Sequence, residues 1–157
     1  MILLAGCGGG AGVGSSSRSL VENELYAGLS HFCAASDALD KDELARVFSK
    51  RFLSEKKNLN YHMQSFMKEH GYGNILDYDG LMQYLDYEIE RQRENQNVSQ
   101  TTITDFRVVW VGQDSAITSY SLSITSTHSG GVLDSGNLRW VKENGIWRIE
   151  SILGKSL

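Results

Sequence analysis

Enolising a carbonyl compound needs a base and a hydrogen-bond donor that faces the developing oxyanion, and few residues of this chain are of the right type. Asp105 and His62 are the candidate bases, and Tyr61 and Tyr120 the candidate donors. The plainer reading is that Asp105 faces water or pairs with Arg107, and that His62 lies at the boundary of a Met-rich helix. His62 and His70 are eight residues apart with no carboxylate at ligand spacing, so no metal centre is expected. No nucleophile elbow supports Ser/His/Asp chemistry. The run Gly10-Ala11-Gly12-Val13-Gly14-Ser15 lacks the third glycine of a dinucleotide loop, and a helical pattern follows it where a second strand is required. No cofactor is therefore expected. Tyr120, Trp140 and Trp147 either line a pocket for an apolar or aromatic ligand or simply fill a core. The expected ligand-lining set is Tyr120, Leu138, Trp140 and Arg107.

The other chemically distinctive group is the thiol of Cys7, preceded by Leu4-Ala5-Gly6. This tetrapeptide resembles the lipobox of bacterial lipoproteins. By that resemblance Cys7 accepts a diacylglycerol and becomes the mature N-terminus, and residues 1–6 are the remnant of a signal peptide. Only six residues precede Cys7, which is short for a secretion signal; a start codon placed too far downstream or a truncated sequence is the expected reason. Residues 7–18 then form a lipidated Gly/Ser tether, flexible by composition. Each acyl chain contributes about 0.8 kcal/mol per buried methylene, so two or three chains hold a protein on a membrane essentially permanently. Gly8 in place of aspartate after the cysteine implies, by the same resemblance, the outer membrane facing the periplasm. In a bacterial protein Asn97-Val98-Ser99 is discounted as a glycosylation acceptor.

The positioning elements follow from periodicity. With 157 residues, 41% of them hydrophobic and 22% charged, the chain has the size and composition of one domain with a single core. A net charge of −4 and the lack of a basic cluster argue against nucleic acid as a partner. Val21, Leu25, Leu29, Phe32 and Cys33 form one helical stripe, in which Cys33 is expected to act as a buried small hydrophobe. Asp40 has the character of an N-cap for a short helix through Leu44, Val47 and Phe48. A third helix is expected around 60–70 and a fourth from Tyr78 to Asn95, the latter ending in a charged, solvated face from Glu88 to Glu94.

After Asn97 the period becomes two, with turns at Gly112-Gln113-Asp114, Ser129-Gly130-Gly131 and Glu143-Asn144-Gly145. Four strands in three hairpins follow. A type I′ turn at Asn144-Gly145 sets Trp140 opposite Ile149, Leu138 opposite Ser151 and Arg139 opposite Glu150. A three-residue loop at Ser129 to Gly131 sets Tyr120 opposite Trp140 and Leu122 opposite Leu138. The covered face then holds Tyr120, Leu122, Ile124, Leu138, Trp140, Trp147 and Ile149. The first hairpin leaves two alternatives. A two-residue turn aims Asp105 and Arg107 inward, and a three-residue turn aims Phe106, Val108 and Trp110 there.

Helices first and an antiparallel meander afterwards define an α+β class. The segments Ala38 to Leu44, on to Phe48 and Phe52-Leu53, and Leu138 to Ile149 resemble the nuclear transport factor 2-like superfamily, which includes ketosteroid isomerase-like and polyketide cyclase-like (SnoaL-like) enzymes. The resemblance covers roughly residues 20 to 155 and implies N-terminal helices packed in a curved sheet, a cone with a cavity, over a domain spanning 19–157. It also implies dimers through the outer sheet face, here bearing Ser119, Ser121, Ser123 and Thr125. The expected function is a membrane-anchored envelope lipoprotein that binds a small apolar ligand or a protein without catalysis. The alternative is a small lyase or isomerase acting on a hydrophobic carbonyl compound.

Overall fold

A computed structural model describes residues 19–128 and 130–155. Helix α1 (Leu20–Asp37) is capped by Ser19, and α2 (Lys41–Val47) by Asp40, whose carboxylate accepts from the Glu43 amide at 3.1 Å. Strand β1 (Leu53–Glu55) leads through a 3-10 turn (Lys56–Asn58) into α3 (Tyr61–Glu69), capped by Asn60. Strand β2 (Ile75–Asp77) pairs with β1 in a small ribbon that sequence periodicity does not reveal, because each strand is only three residues long. Asp77 then caps α4 (Tyr78–Glu94). The second sheet is a meander of β3 (Ser99–Val111), β4 (Ser115–Ser126), β5 (Val132–Glu143) and β6 (Ile146–Gly154).

The expected inner face is realised: Tyr120, Leu122, Ile124, Leu138, Trp140, Trp147 and Ile149 are all buried in one core with Leu25, Leu29, Phe32 and Cys33 of α1. Trp140 donates its indole N–H to the Thr118 hydroxyl at 2.9 Å, so its one polar atom is satisfied inside the core. Helix α1 packs across β3 and β6, closing the concave side of the sheet. Ser54 of β1 accepts from the Ile152 amide at 2.8 Å, which ties the ribbon to β6.

The registers differ from those expected through bulges in β3 and β6 and a shifted pairing of β4 with β5. The Asn144-Gly145 turn has φ of +52° and +78°, as a type I′ turn requires, and sets Trp140 opposite Ile149. Beyond that pair, Glu150 is bulged out, so Arg139 faces Ser151 and Leu138 faces Ile152. Glu150 instead pairs with Arg51 at 3.1 Å. Between β4 and β5 the register is offset by four residues, with Tyr120 opposite Gly136 and Leu122 opposite Asp134. An even offset leaves every side chain on its expected face. In β3, Thr104 and Val109 have no partners in β4, and these bulges put Thr101, Ile103, Phe106 and Val108 inward while Asp105, Arg107 and Trp110 turn out. Bulges bend the strand and increase its twist, which is how a flat meander becomes a cone wall.

The charged end of α4 is another correction. Glu88 is 1% exposed and Gln92 is buried, and the Glu88 carboxylate accepts from Arg91 at 2.7 and 3.1 Å and from Gln92 at 2.9 Å. The stripe Leu81, Leu85, Glu88 and Gln92 continues one helical face inward, so position decided burial and the ion pair makes it tolerable.

Candidate functional site

The inner residues meet so closely that the cone is nearly solid. The void left among Leu29, Phe32, Tyr120, Leu138, Ile149 and neighbouring side chains measures about 10 Å³. That is the space of a single water, and no apolar ligand or steroid-sized carbonyl compound enters it.

At the rim the surface changes character. Tyr120 and Asp134 line both the interior void and an open cleft of about 340 Å³, whose other walls include Asn58, Asn60, Ser135 and Lys155. The cleft is assembled by three local features. The 3-10 turn and the Asn60 cap end the ribbon beside β6, and Asn60 Oδ1 accepts from the Met63 amide at 2.9 Å. Gly136 lies opposite Tyr120, where a Cβ would come within 3.1 Å of the phenol oxygen and 3.3 Å of the Gly154 carbonyl, so a side chain there would crowd the ring. Asp134 occupies the next inward position of β5 from Gly136, at the open end of the strand.

The Tyr120 hydroxyl donates to Asp134 Oδ2 at 3.4 Å, a long hydrogen bond. Burial, then the adjacent Asp134 charge and the hydrogen bond to it, holds the phenol well above the ordinary tyrosine range. Tyr120 therefore stays protonated, and Asp134 already receives that proton's hydrogen bond. Asp134 itself has no Lys, Arg or His within ion-pair distance among the described residues. Asn60 Nδ2 is a buried donor with no acceptor. The cleft lining holds a carboxylate, Asp134, and an ammonium, Lys155, together with the polar side chains of Asn58 and Ser135, which is binding chemistry.

The residues singled out from the sequence do not converge. Asp105 and Arg107 are 52% and 75% exposed on the outside of β3 and lie 3.4 Å apart, so Arg107 lines no interior pocket and Asp105 faces no substrate. The inward alternative for this pair fails because the bulges reset the alternation of β3. His62 is on the exposed side of α3, edge-on to the exposed ring of Tyr61. Neither faces Tyr120, whose lining neighbours come from α1, the 3-10 turn and the sheet. Of the ligand-lining set, Tyr120 and Leu138 border the void, Trp140 is packed within the core, and Arg107 is outside. Trp110 is half exposed and fills nothing. Cys7 lies outside the described residues.

The residue missed was Asp134. Its signal was present: Val132, Asp134, Gly136, Leu138 and Trp140 alternate along β5, and a carboxylate on the same face as Trp140 must lie inward or at a rim. Asn60 carried no signal beyond its suitability as a cap.

No family model matches the chain, and no curated protein is similar to it in sequence. Solved structures do share its fold. A nuclear transport factor 2-like protein of unknown function from Pseudomonas putida superposes with a TM-score of 0.65 at 8% identity, covering 86% of this chain and 85% of that one. Another of unknown function from Shewanella oneidensis gives a TM-score of 0.61 at 10% identity, covering 85% and 97%. A protein of unknown function with a cystatin-like fold from Nostoc punctiforme gives 0.61 at 11%, covering 86% and 90%.

Proposed function

We propose that this chain, which has the nuclear transport factor 2-like fold, is a non-catalytic binding module whose site is the mouth cleft at Tyr120 and Asp134 and which Cys7 tethers to a bacterial envelope membrane. The carrying observation is the contrast between an interior void of about 10 Å³ and a polar cleft of about 340 Å³ directly above it. A lyase or isomerase of this architecture needs a substrate in the cone, with a base and a free donor on opposite sides of it. Here the cone is filled, and the phenol proton is directed at the carboxylate. The expected small apolar ligand gives way, on the same grounds, to a small polar one held at the rim.

The tether rests on the Leu4-Ala5-Gly6-Cys7 motif and the glycine-rich stretch that follows it. No described helix is long and apolar enough to cross a membrane, and a lipid needs none.

Backbone amide NMR with millimolar glycine, ethylammonium, acetate and glucose tests the site. Shifts concentrated at Asn58, Asn60, Asp134–Gly136 and Gly154 for at least one probe are expected; shifts confined to the outer sheet face, or none, refute the mouth as the site. Deuterium exchange into cyclohexanone, a hydrophobic carbonyl compound, tests the absence of catalysis. Exchange at the buffer rate is expected, and acceleration that Asp134→Asn abolishes would restore the enzyme.

A further inference from the structure

We infer a second binding site, between the α1–α2 helix pair and the β5–β6 hairpin, for a single-chain amphiphile with an anionic head: a long-chain fatty acid. It is independent of the mouth and shares no lining residue with it. The mouth lies at the Ile152–Gly154 end of β6, and this site at the Ile146–Arg148 end. The first observation is an open trough of about 470 Å³ walled by α1, α2 and the start of β6. Its apolar lining comes from Ala27, Gly28, Val47, Ile146 and Trp147. At Gly28 the helix runs so close to the sheet that a Cβ would lie 3.0 Å from the Trp140 ring. Ile146, beside the hairpin turn, is 54% exposed, which leaves apolar surface in water at the lip of the trough. The polar groups of α1 here are already engaged. The Trp147 indole donates to Glu24 at 2.9 Å, Lys142 lies 3.6 Å from the same carboxylate, and His31 lies 2.9 Å from Glu43.

The second observation is the charge where the trough continues. Arg46 and Arg148 line the trough and also a cleft of about 340 Å³, which Lys50 and Tyr78 line with them. The two arginines touch, the Arg148 guanidinium donating to the Arg46 carbonyl. In a chain of net charge −4, three cationic side chains in this lining meet one carboxylate, Glu143, which is 3.9 Å from Arg148. Glu43 engages one nitrogen of the exposed Arg46 guanidinium at 2.5 Å, and Lys50 has no carboxylate within ion-pair distance among the described residues. Guanidinium and ammonium groups beside uncovered apolar surface match a carboxylate that carries a hydrocarbon chain. The chain covers the trough while the head enters the cleft. A neutral lipid leaves the cations unanswered, and a short carboxylate leaves the apolar surface in water. A trough of this volume is of small-molecule size, which favours one chain over a bilayer surface.

The test is calorimetric titration of the full chain, carrying Cys7→Ser so that it bears no lipid of its own, with palmitoleate below its critical micelle concentration. Methyl palmitoleate and acetate are the tail-only and head-only controls. Palmitoleate is expected to bind once per chain and to change the tryptophan fluorescence, with each control weaker by about tenfold or more. Ile146→Asn and Lys50→Gln each weaken palmitoleate several-fold, the lysine change more so at low salt. Asp134→Asn, at the mouth, leaves it unchanged, and circular dichroism melts separate lost binding from lost folding. Methyl palmitoleate binding as tightly as the acid overturns the anionic head. Binding indifferent to both Ile146→Asn and Lys50→Gln overturns the site, and so does no binding. Flotation with phosphatidylglycerol vesicles in the absence of palmitoleate binding overturns the fatty acid in favour of a membrane-facing patch.

Discussion

Asp37, at the last turn of α1, shows how burial and function separate at the scale of a single residue. Its carboxyl is pushed up to about 7 by burial, with the Thr101 amide hydrogen bond opposing the rise, and its Oδ1 has no partner. A folded-state pKa raised above the unfolded value of 3.8 means that the native state holds a proton that the unfolded chain has lost. Stability from this group is therefore present below about pH 4 and is lost as pH rises toward 7. Asp37→Asn is expected to flatten that decline, so that urea midpoints of variant and parent agree near pH 4 and separate in favour of the variant at pH 8. Equal midpoints at both pH values would show that the carboxyl is not desolvated. By contrast, Asp134 lies where a ligand can reach it. Both aspartates are adjacent in the chain to ordinary polar or apolar residues, and neither announced itself by type. Asp134 was legible only through the alternation of β5, and Asp37 not at all, because its burial depends on where β3 crosses the end of α1.

At the scale of elements, the helix boundaries were written in cap chemistry. Asp40, Asn60 and Asp77 each accept from a backbone amide three residues on, and each starts a helix where the apolar stripe begins. The end of α4 is less well made. Gln96 adopts φ of +51° at the position where glycine is favoured, with its amide bonded to the Arg93 carbonyl and that of Asn97 to Gln92. Gln96→Gly removes the clash of a Cβ in the left-handed region, and a gain of about 1 kcal/mol is expected. In a domain of this size that raises the melting temperature by about 2–5 °C, measurable by scanning calorimetry. A fall instead would mean that the Gln96 side chain makes contacts worth more than the strain. The strands tell the opposite story. Their faces follow from period two, but their registers depend on bulges at Thr104, Val109, Glu150 and Leu153, which no local pattern marks.

For the whole molecule, the tether and the outer sheet face decide how the domain meets its surroundings. If Cys7 carries acyl chains, the chain isolated from its own host is heavier than its sequence and partitions into detergent, and Cys7→Ser moves it to the aqueous phase. A mass equal to that of the unmodified sequence would remove the anchor. Trp110 is 52% exposed, with Val109 and Val111 exposed beside it, and the outer serines of β4 lie nearby on the same sheet. If this face pairs with a second copy, light scattering of the 17.5 kDa chain reads about twice that mass, and Trp110→Glu restores the single-chain value. A single-chain mass for the parent at high micromolar concentration would exclude the pairing.

The sequence by itself determined the α+β order, the capped helices, the Asn144-Gly145 turn and the composition of the covered face. Each is encoded within a few residues, by a 3.6-residue stripe, a side-chain cap, a left-handed dipeptide or strict alternation. Alternation also survives an even error in register, so the face was right while the pairs between β4 and β5 were not. Only the tertiary structure decided that the cone is filled, that Asp105 and Arg107 lie outside it, that Glu88 is interior, and that Tyr120 meets Asp134 at the rim. Those outcomes depend on how far a bulged sheet curls around α1. That curl is set by packing between segments far apart in the chain, which no window of local sequence contains.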